Sequence, residues 1–172
     1  MTDKPLVGIV MGSDSDWPLV KKAFDTLKDF GVACEVRVIS AHRTPDLAAE
    51  YSKTAAERGL KVILSAAGGA AHLGGILAAH TTLPVVGIPV AGGALNGVDA
   101  LLATLQMPSG IPVATVALGS AGPTNAALFA VQILALSSKP LAQKLADHKK
   151  KLAAKVEAAN ARVNEEIAKL QD

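Results

Sequence analysis

The chain alternates between two kinds of hydrophobic pattern. Short apolar runs, 6–11 (LVGIVM), 34–39 (CEVRVI), 61–66 (KVILSA), 84–90 (PVVGIPV) and 111–118 (IPVATVAL), read as strands. Between and after them, apolar positions recur every three or four residues, at 18–30, 45–59, 72–80, 98–106 and 123–136. That spacing predicts helices that cover one face each. Gly31 and Gly59 stand where two of these should stop, and Pro45 where another should start. Five β-α units in a row predict a parallel sheet with helices on both faces, and the near-continuous apolar strands agree.

The last 34 residues follow a different pattern. Leu141, Leu145, His148, Leu152, Val156, Ala159, Val163, Ile167 and Leu170 form a single stripe at helical spacing. About 30 residues of helix span roughly 45 Å. A body of about 135 residues is under about 40 Å across. A straight helix of that length outruns its own body, so it crosses onto a neighbouring subunit or frays. The expected organisation is one α/β domain over 1–138 and a helical tail over 139–172.

Composition narrows the picture. Half of the 172 residues are apolar but only 3% are aromatic, so the core is built from Ala, Val, Leu, Ile and Gly in tight layers. A net charge of +2 is too small to suggest nucleic acid, and the cluster DHKKK at 147–151 reads as a solvated helix face. A single cysteine, Cys34, excludes a disulfide framework and fits a reducing compartment. The N-terminal apolar run is too short for a signal peptide, and no run reaches the roughly 18 residues of a membrane span. These features lead to the expectation of a soluble, cytoplasmic protein.

Right-handed crossovers bring every post-strand loop to one edge of a parallel sheet, where ligands bind. Those loops are GSDSD (12–16), SAHRTP (40–45), AGGAAH (67–72), AGGALNG (91–97) and GSAG (119–122). In GSDSD, serine hydroxyls and a helix N-terminus suit an anion, while Asp14 and Asp16 suit capping or sugar hydroxyls. In SAHRTP, Thr44 is placed to N-cap the next helix. Arg43 then reads either as a phosphate ligand or as half of a structural ion pair, and His42 either as a general acid/base or as a core histidine. AGGAAH keeps side chains out of the way of a small ligand such as CO2, or is merely a tight turn. His72 is ambiguous between a site group and a helix cap, and His80 and His148 read as structural or solvated. No His/Cys/Asp cluster has metal-ligand spacing.

Taken together, VGIVMGSDSDW, VISAHRTPD, AGGAAHL, LPVVGIPV, LNGVDALLATLQMPSGIPVATVA and NAALFAVQIL make the chain closely similar, from about Leu6 to Leu136, to the class I N5-carboxyaminoimidazole ribonucleotide mutases of purine biosynthesis. Arg43 after the histidine favours class I, because class II carboxylases usually carry lysine there. The resemblance implies a flavodoxin-like three-layer α/β/α sandwich, a homo-octamer and a reaction without cofactor or metal. The substrate would be a small ribonucleotide whose carboxylate moves from the exocyclic nitrogen to ring carbon 4. His42 would shuttle the proton. Ser13, Ser15, Asp16, Ser40, Ala41 and Arg43 would hold phosphate and ribose. Gly68, Gly69, Ala70, Ala71, His72 and Leu73 would form the base and carboxylate end. Where the family usually has HLPGM, this chain has His72-Leu73-Gly74-Gly75-Ile76, and AGGAL at 91–95 lacks the polar residues often seen there. The rival readings are a non-enzymatic sugar-phosphate sensor on the same fold, which needs no His42, and a flavodoxin, disfavoured by the scarcity of aromatics.

Overall fold

In the computed structural model, which describes residues 4–171, five strands form one parallel sheet in the order β2-β1-β3-β4-β5. The strands are β1 (Val7–Met11), β2 (Cys34–Val38), β3 (Val62–Gly68), β4 (Val85–Val90) and β5 (Ala114–Thr115). The helices are α1 (Trp17–Phe30), α2 (Pro45–Ala55), α3 (Leu73–Ala79), α4 (Val98–Leu105), α5 (Gly122–Ala135) and α6 (Lys139–Gln171). The chain divides into two compact units, with the boundary between Ile133 and Leu134.

Within the first unit, β1 sits between β2 and β3, with Val7 opposite both Cys34 and Val62, and Met11 opposite both Val38 and Ala66. The first connection runs from β1 to its neighbour β2. The second passes over β1 to β3, in the opposite direction. The right-handed rule therefore puts α1 on one face of the sheet and α2, α3 and α4 on the other. The packing of α2 on α3, and of α3 on β3 and β4, agrees. Because β1 and β4 are covered on both faces, every residue in them is buried, as are the first five of β3. This is why these three strands lack the alternation of a half-exposed strand.

One core cluster gathers Val10, Ile39, Tyr51, Leu60, Ile63, Leu73, Leu77, Val85 and Val113. Elsewhere the core is built from small residues: Ala23, Ala126, Ala127 and Ala130 are fully buried. The helix ends follow the expected chemistry. Gly31 adopts φ 73° and its N–H returns to the carbonyls of Leu27 and Lys28, a left-handed C-cap that a residue with Cβ adopts only at a cost. Two elements are shorter than their patterns predict. The helix from Pro45 stops at Ala55, four residues before Gly59, and the apolar run at 111–118 yields only two residues of ladder. β5 is an edge strand with β4 as its single partner, and after Val116 N–H bonds to the Gly87 carbonyl the chain turns away.

The second unit contains α6, a continuous helix of 33 residues. At 1.5 Å per residue it is about 50 Å long. Ser138 stands at its start, with its hydroxyl accepting from Leu141 N–H. None of its residues is buried. Leu152, Val156, Val163, Ile167 and Leu170 are exposed, whereas Leu141, Leu145, His148 and Ala159 of the same predicted stripe are half-buried. No helix among the described residues is long and apolar enough to cross a membrane.

Candidate active site

The strand order has a switch point at β1 and β3, where successive connections leave the sheet in opposite directions, and a crevice opens there outside the carboxyl ends of the strands. A cavity of about 470 Å³ occupies that place. It is lined from three loops: Gly12, Ser13 and Asp16 after β1; Ser40 to Arg43 after β2; and Ala67, Gly68, Ala71, His72 and Leu73 after β3. Serine, aspartate and arginine come from the first two loops. The third supplies small residues and one imidazole.

The loop after β1 is held by its own serines. Ser13 Oγ accepts from the Ser15 backbone N–H at 3.3 Å and from Ser15 Oγ at 2.8 Å. Asp14–Asp16 form a turn of 3-10 helix that leads into α1. Asp16 occupies the N-cap position of α1, but its carboxylate makes no capping bond. Burial pushes its pKa above the ordinary carboxylate value, the charge of Asp14 adds to this, and the Ser13 backbone N–H pulls the other way.

The loop after β2 is closed by Thr44. Its hydroxyl makes no capping bond to α2, in contrast to the capping role expected from the sequence. It turns back to Ser40 instead, accepting from Ser40 N–H at 3.2 Å and donating to Ser40 C=O at 2.9 Å. Ser40 Oγ in turn accepts from the backbone N–H of Arg43 at 3.2 Å and from its Nε at 3.4 Å. Arg43 Nη2 reaches the Gly12 carbonyl at 3.4 Å. These are long contacts, and among the described residues Arg43 forms no ion pair. The guanidinium is thus held at the cavity wall by hydrogen bonds and not by an ion pair, which disfavours the structural ion-pair reading.

The loop after β3 turns through Gly69 at φ 59° and Ala71 at φ 48°, and Ala71 N–H bonds to the Gly68 carbonyl at 3.1 Å. A left-handed alanine is uncommon, and it brings His72 and Leu73 back toward the sheet. His72 meets His42 there, with Nε2 of His42 2.7 Å from Nδ1 of His72 and the rings edge to face at 73°. The loops after β2 and β3 therefore join above the end of β1, the strand between them. Both histidines are exposed, so His42 is no core residue. His80 is tied to its own helix, its Nδ1 2.9 Å from the Ile76 carbonyl.

Of the residues singled out in the sequence, Ser13, Asp16, Ser40, Ala41, His42, Arg43, Gly68, Ala71, His72 and Leu73 line the cavity. Ser15, Gly69 and Ala70 do not. Ser15 supports Ser13, and Gly69 and Ala70 form the outer turn. Gly12 and Ala67, which line the cavity, were not singled out. Their signal is positional, since each stands where a strand gives way to its ligand-edge loop. Among the described residues no group of three or more His, Cys, Asp or Glu is placed to hold a metal ion.

Comparison with known families agrees with this geometry: residues 6–155 match the family described as AIR carboxylase. The chain belongs to the AIR carboxylase family. Among curated AIR carboxylase relatives, the N5-carboxyaminoimidazole ribonucleotide mutase of Pyrococcus horikoshii is 54% identical over 164 residues, which cover 95% of this chain and 92% of that protein. The protein of the same name from Bacillus subtilis is 58% identical over 142 residues, 83% of this chain and 88% of that one. Among solved structures, Treponema denticola PurE superposes with a TM-score of 0.82 at 31% identity, covering 92% of this chain and 98% of that one. The similarity to all three extends well beyond the site loops, and the first includes much of the tail.

Proposed function

We propose that the chain is an N5-carboxyaminoimidazole ribonucleotide mutase of purine biosynthesis, with His42 as its proton shuttle and Arg43 as its phosphate ligand. The observation that carries this reading is an exposed imidazole next to a guanidinium that forms no ion pair among the described residues, in one cavity with the small residues Ala67, Gly68 and Ala71. Arg43, with the hydroxyls of Ser13 and Ser40, fits the three oxygens of a phosphate. Ser15 backs Ser13, and Ala41 passes the chain between Ser40 and His42. Asp16 is an acceptor for ribose hydroxyls. Gly68 to Leu73 leave room for the imidazole base and its carboxylate.

The chemistry then needs one proton given and one taken back. Protonated His42 donates to the exocyclic nitrogen as its bond to the carboxylate breaks. The bond pair stays on nitrogen, and CO2 is released beside the small residues. Ring carbon 4 attacks CO2 with the electron pair of the amino-imidazole system. The proton on carbon 4 returns to the now neutral His42, which restores aromaticity and the starting charge of the enzyme. A general acid/base active near neutral pH suits both steps. The small wall holds CO2 away from bulk water between them.

The 1–138 segment carries this chemistry in our reading, and the 139–172 segment serves assembly. The protein acts in the cytoplasm as a homo-octamer. Exposed apolar side chains on and beside α4 (Leu95, Val98, Leu102 and Leu105) and along α6 support assembly into a larger body. The decisive experiment is conversion of the N-carboxylated ribonucleotide to the C-carboxylated one without ATP, metal or biotin, in the wild type and in His42→Asn. The variant should bind ribonucleotide and lose at least about two orders of magnitude in rate. A variant within threefold of wild type would remove His42 from the chemistry. A wild type that binds but does not convert would leave the sensor reading.

A further inference from the structure

The contact between His42 and His72 constrains where protons reside. At 2.7 Å, two facing ring nitrogens cannot both present lone pairs, and cannot both present N–H bonds. One proton must lie between them. When His42 is neutral and that proton is its own, Nε2 is the N–H and Nδ1 is the bare base. Nδ1 of His42 has no partner among the described residues, whereas Nε2 is occupied by His72.

We propose that His72 is a positioning residue that selects the working tautomer of His42, holding Nε2 as the bridging nitrogen so that Nδ1 exchanges the proton with substrate. The inference rests on the reading of His42 as the shuttle and adds which nitrogen acts and what fixes it. Proton counting supports it. With one positive charge the pair carries three N–H protons: on His42 Nδ1, on the bridge, and on His72 Nε2. Donation from His42 Nδ1 leaves two, and the bridging proton then belongs to His42. Return of the proton from carbon 4 to Nδ1 restores three, with no net gain or loss by the pair. A second positive charge would set two N–H bonds against each other and break the contact, so the bonded pair holds at most one charge. The other ionisable groups lining the cavity are Asp16, which favours that charge, and Arg43, which opposes a second.

The backbone gives His72 its reach. The left-handed turn at Gly69 and Ala71 brings a residue from the loop after β3 across the end of β1 to the loop after β2. His72 was expected among the substrate-binding residues, and its Nδ1 is engaged by the neighbouring ring.

The test compares full-length wild type with His72→Leu and His72→Asn, the latter keeping an acceptor near the position of Nδ1. Both substitutions fall on an exposed residue. Long-range proton–nitrogen NMR of the His42 ring should show Nε2 protonated and Nδ1 bare in the neutral wild type, and a mixture of tautomers in His72→Leu. His72→Leu should lower kcat at least about tenfold, leave KM within about threefold and displace the pH profile of kcat. His72→Asn should recover most of the tautomer preference and part of kcat. Wild-type kcat and pH profile in His72→Leu would overturn the proposal, and so would an unchanged His42 tautomer. A loss confined to KM would also overturn it, by making His72 a substrate ligand. If His42→Asn itself stays active while the tautomer preference is as described, the reading of His42 as the shuttle fails and the bond stands.

Discussion

The hydroxyl of Thr44 is bonded to both backbone groups of Ser40, accepting from its N–H and donating to its carbonyl. This closes a five-residue loop whose middle members are Ala41, His42 and Arg43. Replacing Thr44 by valine keeps the shape and removes both bonds. Thr44→Val should lower kcat/KM by about ten- to a hundredfold through misplacement of the two functional side chains, while Thr44→Ser stays near wild type. Steady-state kinetics of the two variants checks this, and equal activity of Val and Ser would show that the loop holds its form without the hydroxyl.

Arg43 is aimed at the cavity by long bonds to Ser40 Oγ and the Gly12 carbonyl, and it forms no ion pair among the described residues. A charged hydrogen bond contributes about 1.5–3 kcal/mol, so Arg43→Ala should weaken ribonucleotide binding by roughly ten- to a hundredfold. The nucleoside without phosphate should bind wild type and variant alike. Arg43→Lys should recover part of the loss, because lysine restores the charge without the planar fork. Titration calorimetry with both ligands separates these outcomes.

Asp16 carries a pH signature of known sign. Its folded pKa is raised above the ordinary value of 3.8, chiefly by burial. The folded state therefore holds the proton more tightly than the unfolded chain does. Ionised Asp16 costs stability at neutral pH, and the cost is relieved as pH falls through the raised value and is gone below 3.8. Asp16→Asn should consequently be more stable relative to wild type at pH 7 than near pH 4, the gap narrowing as acid is added. Urea unfolding across that window measures it. A gap that stays constant or widens would show that burial does not control this carboxyl.

The stripe on α6 predicts the behaviour of a truncated chain. Leu152, Val156, Val163, Ile167 and Leu170 are exposed along one helix. If a neighbouring subunit covers them, deleting 150–172 should yield smaller species in light scattering at low concentration and a lower Tm. All the cavity residues precede Gly74, so the shortened protein should fold and retain some activity. Unchanged mass and Tm would assign assembly to other surfaces.

The residues differed in how much they revealed before the structure was considered. β1, β3 and β4 were legible because burial on both faces leaves an unbroken apolar run. The run at 111–118 looked equally strong yet gave a two-residue edge strand with Val113 alone buried, since apolar character by itself supplies neither a pairing partner nor a covering layer. The site loops stood out by their Gly and Ser content and their position after strands. The bond between His42 and His72 was illegible, because it joins residues 30 apart and depends on β1 lying between β2 and β3. Thr44 misled in a similar way. The rule that threonine before proline caps a helix is local, and here a nearer pair of backbone groups competes for the same hydroxyl.

β3 runs Val62, Ile63, Leu64, then Ser65, Ala66, Ala67, Gly68, so its side chains shrink toward the end that meets the cavity. The hollow is made by subtraction, as a taper within the sheet. A Cβ placed on Gly68 would lie 3.1 Å from the Val90 carbonyl oxygen of the paired strand, so the narrow end tolerates little added bulk. This part of the cavity wall is thereby made of hydrogen-bonded strand, which does not open and close as a hinged loop does. The mutational landscape should follow the taper. Volume-conserving exchanges should be tolerated at Val62 to Leu64, whereas a methyl group added at Gly68 should press on the β4 backbone at Val90 and shift the strand end that borders the cavity.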